Sequence, residues 1–212
     1  MIFCMVTRGE SIKGNTTLFH SVEGGSIPTS PHNFRVSECK FSDVRTVFEE
    51  NHYKRGAMGG GISFCLALTN GDMLMGGTVV GKPRHSSKYG QSLDIRRMAC
   101  VEDSPKNSES FFLAKTIWFI KRNYPNIAKV ISYSDLTEGH TGTIYKAANF
   151  ECIGETAKSK TIVFGDRKYH MRSLTIERPY SYRIRDAIKT GEAYIEEGLP
   201  KLIWEYNIYN RG

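Results

Sequence analysis

The sequence predicts an α/β fold, a mixed central sheet flanked by helices, and three observations predict it. Apolar residues recur at helical spacing through Phe111, Ala114, Ile117, Trp118 and Ile120; two extended runs meet at the turn Asn70-Gly71-Asp72; and short β-branched stretches alternate with helical ones thereafter. One main domain is expected at residues 34–180, with a glycine-, proline- and serine-rich arm or small hairpin at 1–33 and a helix and strand at 181–212 packing on the core.

In chain order, Ser42 is placed to cap a helix whose face is Val44, Val47 and Phe48 and which ends near Asn51 to Tyr53. The run Gly59-Gly60-Gly61 is a loop. Ile62 to Thr69 and Met73 to Val80 form an antiparallel hairpin, and Leu93 to Val101 alternates as a strand. The main helix opens near Asn107-Ser108 and stops at Asn123, two residues before Pro125. Lys129 to Tyr133 reads as a buried strand, Thr143 to Asn149 as a short helix and Glu151 to Glu155 as a strand. Thr161 to Phe164 and Arg172 to Ile176 flank the turn at Gly165-Asp166; Arg183 to Glu197 reads as a charged helix and Leu202 to Ile208 as a strand.

Composition narrows the function classes. The 212 residues carry 29 Lys and Arg against 22 Asp and Glu, a net charge of +7, which favours a polyanionic partner. A hydrophobic fraction of 40% with 24% charged residues is that of a globular chain. No apolar run reaches the roughly 18 residues a membrane helix needs, and Met1 to Thr7 lacks the pattern of a secretory signal. Five scattered cysteines without a Cys-x-x-Cys pair predict reduced thiols and a cytoplasmic protein, with neither a disulfide framework nor a zinc knuckle.

Several motifs fail for stated reasons. Gly76 to Lys82 has the glycine and lysine spacing of a phosphate loop, but Pro83 stands where a hydroxyl must hold magnesium. The dinucleotide fingerprint Gly-x-Gly-x-x-Gly, the zinc-deaminase pattern and the Asn/Asp-Pro-Pro-Tyr/Phe signature of amino-methyltransferases are all missing.

Others carry chemistry. Asn107, Ser108 and Ser110 open a long helix directly after a strand, where free amides suit an anion; the same residues also serve as ordinary caps. The segment from Ser132 to Phe150 places Asp135, Glu138, His140 and Tyr145 beyond the end of a strand, where open sheets bind ligands. Asp135 suits proton acceptance, metal ligation or a turn, and Tyr145 suits a leaving group or a core. His52 and Tyr53 sit at a helix end. Arg96 and Arg97, adjacent in a strand, are expected on opposite faces. Lys82, Arg84, His85, Lys88 and Tyr89 form a basic loop suited to nucleic-acid phosphates and a stacked base, or simply to solvent.

Asn51-His52-Tyr53 with Gly59-Gly60-Gly61, Asp94-Ile-Arg96-Arg97, Asp103 to Leu113, and above all Ser132 to Asp135 running on to Gly139 to Phe150, resemble the Mom family of phage DNA-modification proteins over roughly residues 36–176. The resemblance implies a GNAT fold, that of the acetyl-coenzyme A dependent N-acetyltransferases. It implies transfer of a carbamoylmethyl group to the exocyclic amine of adenine in double-stranded DNA, shielding a phage genome from restriction endonucleases inside the host cytoplasm. It further implies His52, Tyr53, Arg97, Ser110, Asp135 and Tyr145 as functional positions. A small-molecule donor, acetyl-CoA or a relative, would lie against Arg97, Asn107, Ser108, Ser110 and Tyr145, and iron is associated with the family, with His52, Tyr53 and Asp135 competent as ligands. The pyrophosphate loop usual in acetyltransferases is replaced here by Pro105-Lys-Asn-Ser-Glu-Ser110. An adenine amine is paired and stacked in a duplex, so the base is expected to flip out. The same fold also accommodates an N-acetyltransferase acting on a small amine or a protein lysine.

Overall fold

The computed structural model describes residues 33–52, 61–83 and 90–209. The expected arm, the loop residues Tyr53, Gly59 and Gly60, and Arg84, His85, Lys88 and Tyr89 lie outside the described residues.

The chain runs β1 (Phe34–Cys39), α1 (Phe41–Asn51), β2 (Ile62–Asn70), β3 (Met73–Gly81), β4 (Ser92–Cys100), α2 (Ser108–Asn123), β5 (Lys129–Asp135), α3 (Thr143–Ala147), β6 (Glu151–Glu155), β7 (Lys160–Phe164), β8 (Arg167–His170), α4 (Pro179–Thr190), β9 (Ala193–Glu197) and β10 (Lys201–Asn207). Seven strands form the main sheet in the order β1-β2-β3-β4-β5-β10-β6, and β8-β7-β9 form a second, smaller one. The mixed α/β class predicted from the sequence is the one observed.

Two cores hold the main sheet. On one face, α2 and α3 cover Phe64, Leu66, Leu68, Val80, Leu93 and Ile95. On the other, Val44, Val47 and Phe48 of α1 pack on Cys65, Ala67, Val79 and Ala99. Alternation along each strand sends successive side chains to opposite layers. The α1 layer comes very close: a Cβ on Gly77 would stand 2.8 Å from Cβ of Val44, so glycine is required there.

Local differences from the sequence expectation have local causes. Helix α1 begins one residue before Ser42, and its first turn is closed by Asp43, whose Oδ2 accepts from the Lys40 amide at 2.9 Å. The predicted helix at 183–197 is a helix ending at Gly191 followed by strand β9; Gly191 takes φ +81°, a left-handed C-terminal cap. The strand predicted at 172–176 is instead a 3-10 turn at Met171–Leu174, preceded by β8. The expected boundary at residue 180 falls inside α4, because residues 160–190 and 193–197 build one unit around Ile162, Ile184, Ala187 and Ala193. Only β10 of the C-terminal segment joins the main sheet, between β5 and β6. Among the described residues, no helix is long and apolar enough to cross a membrane.

Candidate functional site

The decisive geometry is a split in the main sheet. Strands β4 and β5 pair in parallel over three residue pairs, Ser92 with Lys129, Leu93 with Val130 and Asp94 with Ile131. Beyond them β4 continues to Cys100 and β5 to Asp135 without pairing to each other. Two diverging strands leave backbone groups and side chains facing a wedge, open at the carboxyl ends where α/β sheets take ligands.

A bulge in β4 shapes one wall. Against β3, Ile95 pairs with Val80 and Arg97 with Val79, so Arg96 is the extra residue. Ile95 belongs to the α2 side and Ala99 to the α1 side, which puts Arg97, two residues from Ala99, on the α1 side. Arg96 also leaves the Ile95 face, donating from Nη2 to the Lys82 carbonyl at 2.7 Å. The two arginines therefore share a face; the alternation expected from the sequence is broken by the bulge.

The α2 side of the split holds a buried hydroxyl chain. Ser132 Oγ lies 3.3 Å from the Ile95 carbonyl across the wedge and 2.8 Å from Tyr145 Oη. A serine hydroxyl carries a single proton. Both bonds form at once only when Tyr145 donates to Ser132. Tyr145 is also stacked on Trp204, centroids 5.7 Å apart, and Trp204 Nε1 donates to Ser134 Oγ at 2.9 Å. Gly142, which starts α3 at φ +82°, is forced by this packing, since a Cβ there would overlap the Trp204 ring at 2.0 Å.

Asp135 lies on the other side. It follows Ser134 in β5 and, like Tyr133, points to the α1 face. Its carboxylate is ion-paired with Lys201 Nζ, directly opposite in β10, and accepts from the Thr137 amide at 3.2 Å. Lys201 was not singled out in the sequence. The usable signal was alternation: with Trp204 and Tyr206 in the core, Lys201 and Glu205 project from the opposite face of an interior strand, where charges need partners. His52 ends α1 with its ring edge-on to Phe48 at 6.1 Å, and His140 is an exposed loop residue whose amide donates to the Asp135 carbonyl.

At the mouth of the split, on the α2 side, a cleft of about 370 Å³ is lined by Glu102, Lys106, Asn107, Glu109, Ser110 and Thr143, among others. Asn107 precedes α2 in a left-handed conformation, φ 71°, and makes no side-chain cap. Ser108 Oγ donates to the Pro105 carbonyl at 2.6 Å and Ser110 Oγ to the Asn107 carbonyl at 3.0 Å. Neither hydroxyl caps an amide, so among the described residues the first-turn amides of Glu109 and Ser110 remain for a ligand. Negative charge also reaches this place: burial, reinforced by the Glu109 carboxylate, pushes the Cys100 thiol up to about 12.

The sequence-predicted residues are thus divided between the two faces. Tyr145, Asn107, Ser108 and Ser110 stand on the α2 side, and His52, Arg97 and Asp135 on the α1 side. Lys82 is exposed. Among the described residues, no group of three or more His, Cys, Asp or Glu is placed to hold a metal ion. With Asp135 held by Lys201 and His52 against Phe48, the expected iron ligands that are described do not form a set that fits a metal.

The model of the Mom protein family matches residues 33–199. The chain belongs to the Mom family. The methylcarbamoylase mom of Escherichia phage Mu is 28% identical over 141 residues, 62% of this chain and 58% of that protein, so the match spans somewhat over half of the relative's length. The fold of this chain resembles that of N-acetyltransferases. The ribosomal-protein-S18-alanine N-acetyltransferase of Escherichia coli superposes with a TM-score of 0.52 at 9% identity, covering 84% of this chain and 96% of the other. An N-acetyltransferase from Staphylococcus aureus Mu50 gives 0.50 at 10% identity, covering 83% and 99%. At such identities the likeness is one of fold.

Proposed function

We propose that this family member is a transferase that modifies adenine in duplex DNA, placing a carbamoylmethyl group on the exocyclic amine and so protecting the DNA from restriction endonucleases. The observation that carries this is the family match, which includes both walls of the split. In this reading donor and acceptor approach from opposite faces and meet between the diverging ends of β4 and β5.

On the α1 face the flipped base presents its amine to Asp135, which accepts the departing proton while Lys201 fixes the carboxylate; Arg97 steadies the adjoining phosphate. On the α2 face, Tyr145 directs its hydroxyl to the donor, its proton held by Ser132. One N–C bond forms to the methylene carbon and the amine gives up one proton. The donor's bond to that same carbon breaks, its leaving group keeping the electron pair. This is displacement at a saturated carbon, so the donor must bear its leaving group there, and an oxyanion hole has no part in it.

A donor of the coenzyme A type would set its phosphates against the amides of Glu109 and Ser110 and the ammonium of Lys106, with Ser108 and Asn107 shaping the turn. Glu102 and Glu109 border the same cleft, so phosphate binding there is opposed by two carboxylates. A related donor with fewer negative charges fits the lining better.

Mass spectrometry of nucleosides from cells expressing the chain is the test. An adenine adduct of the carbamoylmethyl mass is expected. Unaltered nucleosides together with newly acetylated amines would instead establish an N-acetyltransferase acting on a small amine or protein lysine, the activity that the fold alone suggests.

A further inference from the structure

The unit inserted between β6 and β10 has no role in the split, yet it is fastened beside it. The Leu199 amide donates to Thr137 Oγ1 at 3.0 Å, in the turn just beyond Asp135, and the Gly198 amide donates to the Ser159 carbonyl at 2.8 Å. Both of its connections to the main sheet are therefore pinned at the carboxyl end of β5. The unit has its own core, in which Ile162 and Ile184 are fully buried, so its outer surface is rigidly presented.

That surface is aromatic and basic. Five of the nine exposed large apolar side chains among the described residues fall at 180–199, and three of them are tyrosines, Tyr180, Tyr182 and Tyr194, exposed by 42%, 52% and 59%. Residues 156–200 hold nine Lys and Arg against six Asp and Glu. In α4, Ser181, Ile184 and Ala187 face inward, Tyr182 and Lys189 are exposed, and half-buried Arg185 lies on the same flank at spacings of three and four from them. Arg185 lies over the Tyr182 ring at 4.5 Å, with Nη1 donating to the Leu174 carbonyl at 2.9 Å, so the guanidinium is already oriented. Glu177 stands 3.8 Å from Arg185 and Asp186 3.7 Å from Lys189; both carboxylates are exposed, and pairs of that kind are weak enough to yield to a phosphate.

We propose that this inserted unit grips the sugar-phosphate backbone of duplex DNA flanking the modified base, through Tyr182, Arg185 and Lys189 of α4. It rests on the DNA-modification reading above. A duplex delivering one flipped base to the split must lay its neighbouring phosphates on nearby protein, and among the described residues this is a surface where cations and exposed rings coincide. Guanidinium and ammonium groups take phosphates, and the tyrosine ring packs on sugar, with no demand on sequence.

The experiment uses the full chain and a fluorescein-labelled DNA duplex, with anisotropy read across a salt series. Arg185→Gln/Lys189→Gln is expected to weaken binding about tenfold or more and to lower the slope of log K against log salt by roughly two, one for each phosphate no longer neutralised. Tyr182→Ala/Lys189→Gln leaves the bond from Arg185 to Leu174 in place and keeps the test decisive if removing that bond impairs folding; its slope should fall by about one. Both variants binding like wild type, with unchanged slopes, would overturn the proposal. So would loss of binding to vesicles of anionic lipid with duplex binding intact, which would make this a membrane surface. If wild type itself shows no salt-dependent affinity for the duplex, the DNA reading fails at its root, a result distinguishable from failure of the variants alone.

Discussion

Replacing Lys201 by methionine separates structure from chemistry at the split. The substitution keeps the aliphatic stem and deletes the ammonium that faces Asp135. Side-chain exposures of 21% for Lys201 and 10% for Asp135 place the pair close to the buried limit. Breaking a buried pair costs about 3–5 kcal/mol and an exposed one about 0–1, so about 2–3 kcal/mol is expected here, with the Thr137 amide left as partner to the carboxylate. For a domain of this size each kcal/mol moves Tm by about 2–4 °C, giving a fall of about 5–10 °C by differential scanning calorimetry. Asp135→Asn alone should lose a comparable amount, because it removes the carboxylate that faces the ammonium. The double variant Asp135→Asn/Lys201→Met should recover most of the loss, since neither charge is then left over. If Lys201→Met melts within about a degree of wild type, the pair contributes nothing and the energetic reasoning is refuted. The double variant also tests the chemistry: restored stability without modified adenine assigns the carboxylate to the reaction, whereas restored activity makes it purely a brace.

Three other outcomes follow from the groups in and around the split. Tyr145→Phe keeps the stack on Trp204 and loses the bond to Ser132, so nucleoside mass spectrometry should find no product while thermal melts shift by only about 1 kcal/mol. Glu109→Gln removes one of the carboxylates lining the cleft, and calorimetric titration should then register tighter binding of coenzyme A, by about fivefold; an unchanged affinity would move the donor phosphates elsewhere. Burial pushes Cys39 and Cys100 up to about 12, which leaves them protonated at pH 8, so alkylation followed by peptide mapping should label exposed Cys152 and spare these two until the protein is denatured.

The architecture was legible where periodicity speaks for itself. The Asn70-Gly71-Asp72 hairpin, the stripe of α2 and the short strand β5 each follow from local pattern, and together they order the helices and strands of an α/β sheet. The site was legible only as a set of residue types, because what arranges them is not local. A single extra residue in β4 brings Arg96 and Arg97 to one face, and no alternation rule announces a bulge. Lys201 acquires its partner from β5, 66 residues earlier, through strand order alone. Residues 183–197 looked uniformly helical because Glu and Lys are common on both exposed helices and exposed strands; Gly191 was the breaker that mattered. The serines at the start of α2 looked like caps and turned out to donate backwards to carbonyls, a competition that side-chain hydroxyls often win at helix ends.

The seat of β10 between β5 and β6 has a kinetic side. In the observed order β10 fills that place, so before it docks β5 presents a bare edge there and β6 has no neighbour in the main sheet. The last strand must find a slot flanked by partners 66 and some 50 residues upstream, a closure of high contact order that belongs to the slow end of folding. Until it docks, Lys201 has not met Asp135 and Trp204 has not met Tyr145, so these two contacts, one on each face of the split, wait for the same strand.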